Sequence, residues 1–428
     1  MGNSPYMTIS AFAGNPLLLD PLDVVELGLI DQSAIVPFRP RESVDFEEAV
    51  GDQNRWMKIA FEAFEAGANP GLMEEVEAFL EAQTWLAPFA LFDAMTRRFG
   101  DTPWWEWPEA YRDRHESAIA TTRSEHARDI ARTHLEQFLF HRQLAQLRQY
   151  AVQRGVLLFG DMPIFVSHHS ADVWWNPELF RLDATGRPTH VAGVPPDYFS
   201  PTGQRWGNPL YNFEAMKATD YAWWVQRIAH LFTCFDRVRI DHFRGFESFW
   251  EIPVDADTAE SGRWVQGPGF DLFATLRRRL GQLDIVAEDL GTITPEVEAL
   301  RTRCDFPGMK VLHFGIGDDE ANPHRPSNVG PQSVVYTGTH DNDTTSGWYQ
   351  SLDEIGRHQA RTMASSTGDD IAWDLMRLAW SLPSDTAIAP AEDILRLGSY
   401  ARMNTPGTAE GNWAWRMLPT AWTNEHTA

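Results

Sequence analysis

Four carboxylates occupy comparable places in this chain. Asp161, Asp241, Glu288 and Asp341 each stand at or just past the end of a short apolar run. A buried strand seldom tolerates a lone carboxylate, because removing it from water is costly without a partner. A single case reads as a helix cap or a structural ion pair. Four at similar ends of strands in one sheet point to a site, since barrel enzymes place their catalysts where strands end and loops begin.

The run Arg237-Val238-Arg239-Ile240-Asp241-His242-Phe243-Arg244-Gly245 is the most informative. Side chains alternate along a strand, so Val238 and Ile240 share one face and Arg239 and Asp241 the other. Arg239 beside Asp241 favours an ionised, oriented carboxylate, which is what a carboxylate nucleophile requires. An ion pair that only fixes the strand is the alternative. Forty-seven residues on, Ile285-Val286-Ala287-Glu288 ends an apolar run on a glutamate. Partial burial there would raise a carboxyl pKa and suit a general acid; capping of the next helix is the alternative. One carboxyl kept charged and one kept protonated form the glycosidase pairing. The stretch Thr339-His340-Asp341-Asn342-Asp343 could also be an oxygen-rich metal site for magnesium, calcium or manganese, but no second cluster with ligand spacing supports it and none is assigned. His168 and His169, adjacent in sequence, read as loop polarity.

These residues need elements to hold them. Short apolar runs at 156–160, 237–241, 285–288, 310–314, 334–337 and 387–390 alternate with helical stretches. This is the pattern of a parallel sheet covered on both faces, and it predicts α/β architecture of (β/α)8-barrel type with six of the eight strands. Before them, residues 1–44 read as a loop-rich segment. Residues 45–154 read as a helical subdomain, broken at 104–108 and ending in a long amphipathic helix over 125–154. Residues 155–428 read as the catalytic barrel portion. Residues 193–213 read as a long loop, followed by a helix over 219–235 that Thr219 is placed to cap.

Composition narrows the classes. The 428 residues carry 36 lysines and arginines against 60 aspartates and glutamates, a net charge of −24. Such acidity excludes nucleic acid and anionic lipid as default partners, and apolar stretches such as 85–92 are too short to span a bilayer. Two cysteines, Cys234 and Cys304, are too few for a disulfide framework or a cysteine-based zinc site and suit a reducing, cytoplasmic setting. The 18 tryptophans, 25 phenylalanines and 9 tyrosines build either a bulky core or flat faces for sugar rings.

The motifs Gly160-Asp161-Met162-Pro163-Ile164, Arg239-Ile240-Asp241-His242-Phe243-Arg244-Gly245, Ala287-Glu288-Asp289-Leu290-Gly291 and Thr339-His340-Asp341-Asn342-Asp343-Thr344 stand in the order seen in amylomaltases, the 4-α-glucanotransferases of glycoside hydrolase family 77. The segments Ser4-Pro5-Tyr6 and Arg402-Met403-Asn404-Thr405-Pro406-Gly407-Thr408, and the loop from Pro195 through Trp206 to Pro209, resemble the same family. The resemblance implies Asp241 as nucleophile, Glu288 as general acid/base and Asp341 as a third carboxylate that holds sugar hydroxyls. It implies Arg239 and His340 as orienting partners and Asp161 as a supporting residue at the donor site. It further implies Tyr6 as an aromatic platform, Trp206 with its loop as a lid over the acceptor groove, and Asn404 as a sugar contact. Maltodextrins, amylose and glucose as acceptor are the implied partners, with no cofactor. Family members carry a leading segment with the first barrel strands before the Ser-Pro-Tyr motif, so those two strands are expected to be absent from a chain starting at Met1. An α-amylase-like hydrolase, or a glucan-binding fragment without turnover, is the alternative.

Overall fold

The computed structural model describes residues 3–37, 39–196, 200–408, 410–423 and 426. They form two compact units: an amino-terminal unit of residues 5–37 and 46–284, and a carboxy-terminal unit of residues 1–4, 38–45 and 285–428.

In the amino-terminal unit, helix α1 (Pro21–Glu26) begins where Asp20 accepts a hydrogen bond from the Leu22 N–H and Pro21 occupies the first turn, a position that needs no donor. The expected loop-rich segment therefore contains a helix. At six residues it is too short to carry a periodic signature. Five further helices, α2 (Phe46–Glu65), α3 (Pro70–Ala82), α4 (Leu86–Phe99), α5 (Glu109–Arg112) and α6 (Glu116–Glu125), lead to α7 (Ala127–Val152), with a 3₁₀ turn at Trp104–Glu106 between α4 and α5. Leu19, Val24, Leu29 and Ile30 pack with Trp56, Met57, Phe61, Leu72, Leu135 and Leu139 in one core.

Strand β1 (Phe159–Met162) follows α7. It starts three residues later than the apolar run suggested, because Val156 and Leu157 are 52% and 65% exposed; Asp161 accordingly lies within the strand. Helix α8 (Ala171–Trp175) precedes β2 (His190–Val194) and β3 (Gln204–Pro209). These two strands join β5 (Ser248–Pro253) and β6 (Arg263–Gln266) in an antiparallel sheet of order β3-β2-β5-β6. The stretch 193–213 is thus not loop throughout: it holds the end of β2 and all of β3. Gln204-Arg205-Trp206-Gly207 lacks the apolar alternation that marks a half-buried strand, and the Asp197-Tyr198-Phe199 part of the expected lid lies outside the described residues.

Helices α9 (Phe213–Ala218) and α10 (Ala222–Cys234) are separate. The Thr219 hydroxyl donates to the Met216 carbonyl at 2.9 Å, so it closes α9 instead of capping the next helix. Asp220 and Tyr221, both at φ 53°, turn the chain into α10. Strand β4 (Arg237–Ile240) then runs parallel to β1 with Arg239 opposite Asp161. Gly160 makes the approach possible: a Cβ there would lie 2.4 Å from the Phe235 ring. Helix α11 (Phe270–Leu280) completes the unit.

The carboxy-terminal unit begins with β7 (Ile285–Ala287) and α12 (Pro295–Cys304). Strands β8 (Gly308–Val311), β9 (Ser333–Tyr336) and β10 (Thr386–Ile388) form a parallel sheet of order β10-β9-β8, and the Ala287 N–H donates to the Pro307 carbonyl just before β8. Helices α13 (Thr345–Ser351), α14 (Glu354–Ala364) and α15 (Ile371–Ser381) precede β10, and α16 (Ala391–Ile394) follows it. Leu312, Val329 and Val335 pack with Ile371, Leu375 and Ala379. Ser43 and Trp415 form an antiparallel bridge within this unit. Among the described residues, no helix is long and apolar enough to cross a membrane.

Candidate active site

The amino-terminal unit builds one polar cluster at the ends of β1 and β4. Residues opposite one another in parallel strands face the same way, which puts the Arg239 guanidinium beside Asp161. Arg239 Nε and Nη2 donate to the two Asp161 oxygens, each at 2.8 Å, and Nη2 also reaches Asp241 Oδ1 at 3.0 Å. The fork therefore spans a carboxylate on the adjacent strand and one two residues along its own, a geometry that a lysine ammonium cannot reproduce. Arg239 is 7% exposed. Burial opposes its charge, but Asp161 and Asp241 hold the guanidinium pKa well above its ordinary value.

Tyr6 closes this cluster. Its hydroxyl donates to Asp161 Oδ2 at 2.5 Å and accepts from Arg239 Nη2 at 3.1 Å. Burial, reinforced by the Asp161 charge, pushes the phenol well above its ordinary range and keeps it a donor. Directly after Asp241, His242 adopts a left-handed φ of 51°, an uncommon conformation for a non-glycine residue. It turns the chain sharply into the 3₁₀ segment Phe243–Phe246. His242 is buried, and burial with help from Arg244 depresses its pKa to about 3, so the ring is neutral. The Trp206 indole meets that ring edge-on, with centroids 4.9 Å apart, and donates to Gln204 Oε1 at 3.1 Å. Trp206 therefore belongs to β3, against the residue that follows Asp241. His242 was not singled out from the sequence; its place between Asp241 and Arg244 in the motif was the available signal.

The carboxy-terminal unit holds the other candidates. Glu288, just past β7, is 9% exposed, and its Oε1 accepts from the Leu290 N–H at 2.7 Å. Its neighbour Asp289 accepts from the Met309 N–H at 2.7 Å and pairs with Arg301 at 3.3 Å, pinning the strand end to β8 and α12. Asp341 receives the Asn404 amide at 2.6 Å. Arg402 braces both residues by donating to the Asp341 and Asn404 carbonyls, each at 2.8 Å. His340 Nε2 lies 3.5 Å from Asp341 Oδ2, and its ring is 5.4 Å from that of Trp413. The geometry thus gathers His340, Asp341 and Asn404 together.

The oxygen-rich metal reading of this stretch finds no common focus. Asn342 accepts from Thr339, while Asp343 accepts from Ser399 and from the Thr344 N–H. The loop-polarity reading of the histidine pair is also corrected. His168 stacks on Trp105 at 3.7 Å, and His169 accepts from the Trp104 N–H at 3.2 Å. Both are parts of an aromatic cluster, since indole faces cover imidazole as readily as they cover apolar groups.

Each unit sets acidic side chains at or just past the ends of parallel strands that alternate with helices, the arrangement found in carbohydrate-active enzymes with an α/β fold of barrel type. The 4-alpha-glucanotransferase family, glycoside hydrolase family 77, matches residues 1–421, and the chain belongs to it. It is 45% identical to a 4-alpha-glucanotransferase of Thermus thermophilus over 439 residues, spanning 100% of this chain and 87% of the relative. It is 46% identical to one of Synechocystis, spanning 98% and 84%. Its structure matches the amylomaltase of Streptococcus agalactiae, solved in complex with acarbose, at a TM-score of 0.95 and 36% identity, covering 99% of this chain and 86% of that one. The chain is accordingly a glycosyl-transferring enzyme of α-1,4-glucans with the fold of the amylomaltases.

Proposed function

We propose that this enzyme moves an α-1,4-glucan segment from one maltodextrin to the 4-hydroxyl of another, or of glucose, by a retaining double displacement. The observation that carries the reading is the Arg239 fork on Asp161 and Asp241. It fixes one Asp241 oxygen and supplies a permanent counter-charge for a carboxylate nucleophile. In the first step an Asp241 oxygen bonds to the anomeric carbon, the glycosidic C1–O4 bond breaks, and the Glu288 proton passes to the departing oxygen. In the second, the Glu288 carboxylate takes the proton of an incoming 4-hydroxyl. That oxygen bonds to C1 and the ester bond to Asp241 breaks. Microscopic reversibility lets one residue serve both steps.

In this reading Asp341, braced by Asn404 and Arg402 and flanked by His340, holds ring hydroxyls. Tyr6 lies under the donor sugar, with its hydroxyl tied to Asp161. Trp206 shapes the acceptor side, where exclusion of water favours a sugar hydroxyl over hydrolysis. The two carboxyls supply the whole acid–base and nucleophilic chemistry, so neither metal nor cofactor enters the scheme. A cytoplasmic location is part of the proposal, supported by the low cysteine count, Cys234 and Cys304 alone.

Incubation with maltotriose tests the reading. Glucose with a ladder of longer maltodextrins is the expected product. Glucose and maltose without a ladder would assign an α-amylase-like hydrolase, because water attacks the same intermediate. Binding of acarbose without any product would reduce the chain to a glucan-binding protein.

A further inference from the structure

Helices α7 and α10 bring together three side chains that the proposed reaction does not use. His230 and Cys234 are four residues apart on α10 and share one face. His141 comes from α7, and its ring centroid lies 5.2 Å from that of His230. One ligand-capable atom from each of His141, His230 and Cys234 lies within 4.8 Å of the others. We propose that these three residues form a binding site for a borderline divalent cation of the zinc type, with two imidazole nitrogens and one thiolate as ligands and the fourth position left to water.

Two further observations support that chemistry. First, His230 Nε2 lies 2.8 Å from the Phe12 carbonyl. A carbonyl only accepts, so Nε2 carries the proton and Nδ1 keeps its lone pair. This is the arrangement by which a metal-binding histidine is held in tautomer and orientation by a partner on its other nitrogen. Second, His141 Nε2 is buried without a hydrogen-bond partner, and such an orphaned polar atom is costly unless something satisfies it. Phe79, Trp85 and Phe12 lie against the two rings at centroid distances of 5.4–5.8 Å, and His141 is partly exposed.

A tetrahedral zinc ion with bonds of about 2.0–2.3 Å sets its ligand atoms ~3.3–3.8 Å apart, so small side-chain adjustments close the site. Coordination would tie α7 to α10 just before the chain enters β4, and through Phe12 would steady the segment that follows Tyr6. The count of two cysteines spoke against a cysteine-based zinc site, and a site with a single cysteine revises that expectation. The two histidines join Cys234 through the packing of helices distant in sequence.

The test uses the full chain, stripped with chelator and then titrated with Zn2+, with Co2+ as a spectroscopic probe and Mg2+ as a control. One Zn2+ per chain should be retained through gel filtration and should raise the melting temperature by at least about 2 °C, with no effect of Mg2+. Co2+ should give a thiolate-to-metal absorption in the near ultraviolet, kept in Cys304→Ser and lost in Cys234→Ser. His141→Ala should weaken Zn2+ binding at least tenfold. Absence of the thiolate absorption in the unaltered chain would overturn the proposal without relying on any variant. Zn2+ binding unchanged by both His141→Ala and Cys234→Ser would overturn it equally.

Discussion

The Arg239 Nη2 lies 3.0 Å from Asp241 Oδ1 and 2.8 Å from Asp161 Oδ2, so a single guanidinium joins the proposed nucleophile to a carboxylate on the neighbouring strand. Because the fork is planar and reaches both carboxylates at once, Arg239→Lys keeps the charge and loses the geometry. A displaced nucleophile costs roughly a hundredfold in rate per ångström. We therefore expect kcat on maltotriose to fall by about that factor with a much smaller change in KM. Steady-state kinetics on a variant with an unaltered circular dichroism spectrum checks this; a change in kcat below about threefold would show that the fork is only structural.

Tyr6→Phe removes a hydroxyl that both donates to Asp161 and accepts from Arg239 and leaves the aromatic face in place. A hydrogen bond to a charged group contributes about 1.5–3 kcal/mol, and partial exposure reduces this, so a loss of about tenfold in kcat/KM is expected. Tyr6→Ala removes the ring as well and should lose about tenfold more, chiefly through KM for the donor. Equal effects of the two substitutions would argue against a stacking role.

Buried neutral histidines make the fold acid-labile. Burial holds His242 and His313 at about 3 and His168 and His324 at about 4, against 6.5 in the unfolded chain. The unfolded state therefore binds more protons below pH 6.5. The stabilisation these groups provide is complete above that pH and is lost as pH falls toward 3–4. Urea midpoints at pH 7 and pH 5 should show the chain weaker at pH 5, and a flat profile would contradict the burial argument.

Asp172 behaves in the opposite sense. Burial pushes its carboxyl up to about 6 from 3.8, although it accepts the Ala11 N–H at 2.7 Å. A raised carboxyl pKa favours the fold below pH 3.8, and that advantage disappears as pH rises through 6. Asp172→Asn keeps an acceptor for Ala11 and avoids the buried charge. It should stabilise the chain at pH 8 by on the order of 1–3 kcal/mol relative to its effect at pH 4. A smaller gain at pH 8 than at pH 4 would reverse the assignment.

The parts of the molecule that could be read from residue order alone are those where one physical signal dominates. The buried parallel strands are short and mostly apolar, as in Ile285-Val286-Ala287 and Val334-Val335, and the acidic residues near their ends stand out against them. The antiparallel sheet of β2, β3, β5 and β6 was hidden because Gln204, Arg205, Trp264 and Gln266 make its strands look polar and irregular. Thr219 seemed a helix start because a threonine before an apolar face is a common cap, yet the left-handed Asp220 and Tyr221 moved the start to Ala222. In the site, Arg239 beside Asp241 was visible from strand alternation. The Asp161 to Arg239 contact depends on the register of β1 with β4, and the Tyr6 contact joins residues 155 positions apart. Neither leaves a local trace, and the same holds for His141 beside Cys234.

In the proposed reaction Asp241 forms the covalent glucosyl-enzyme, and trapping that ester decides whether it does. In Glu288→Gln the second step lacks its base, while α-glucosyl fluoride needs little acid assistance to leave. Mass spectrometry of this variant after a short incubation with the fluoride should find one glucosyl unit on the peptide containing Asp241, and none when Asp241→Asn is added. A glucosyl group on any other residue, or an unlabelled enzyme releasing product of inverted anomeric configuration, would contradict the account.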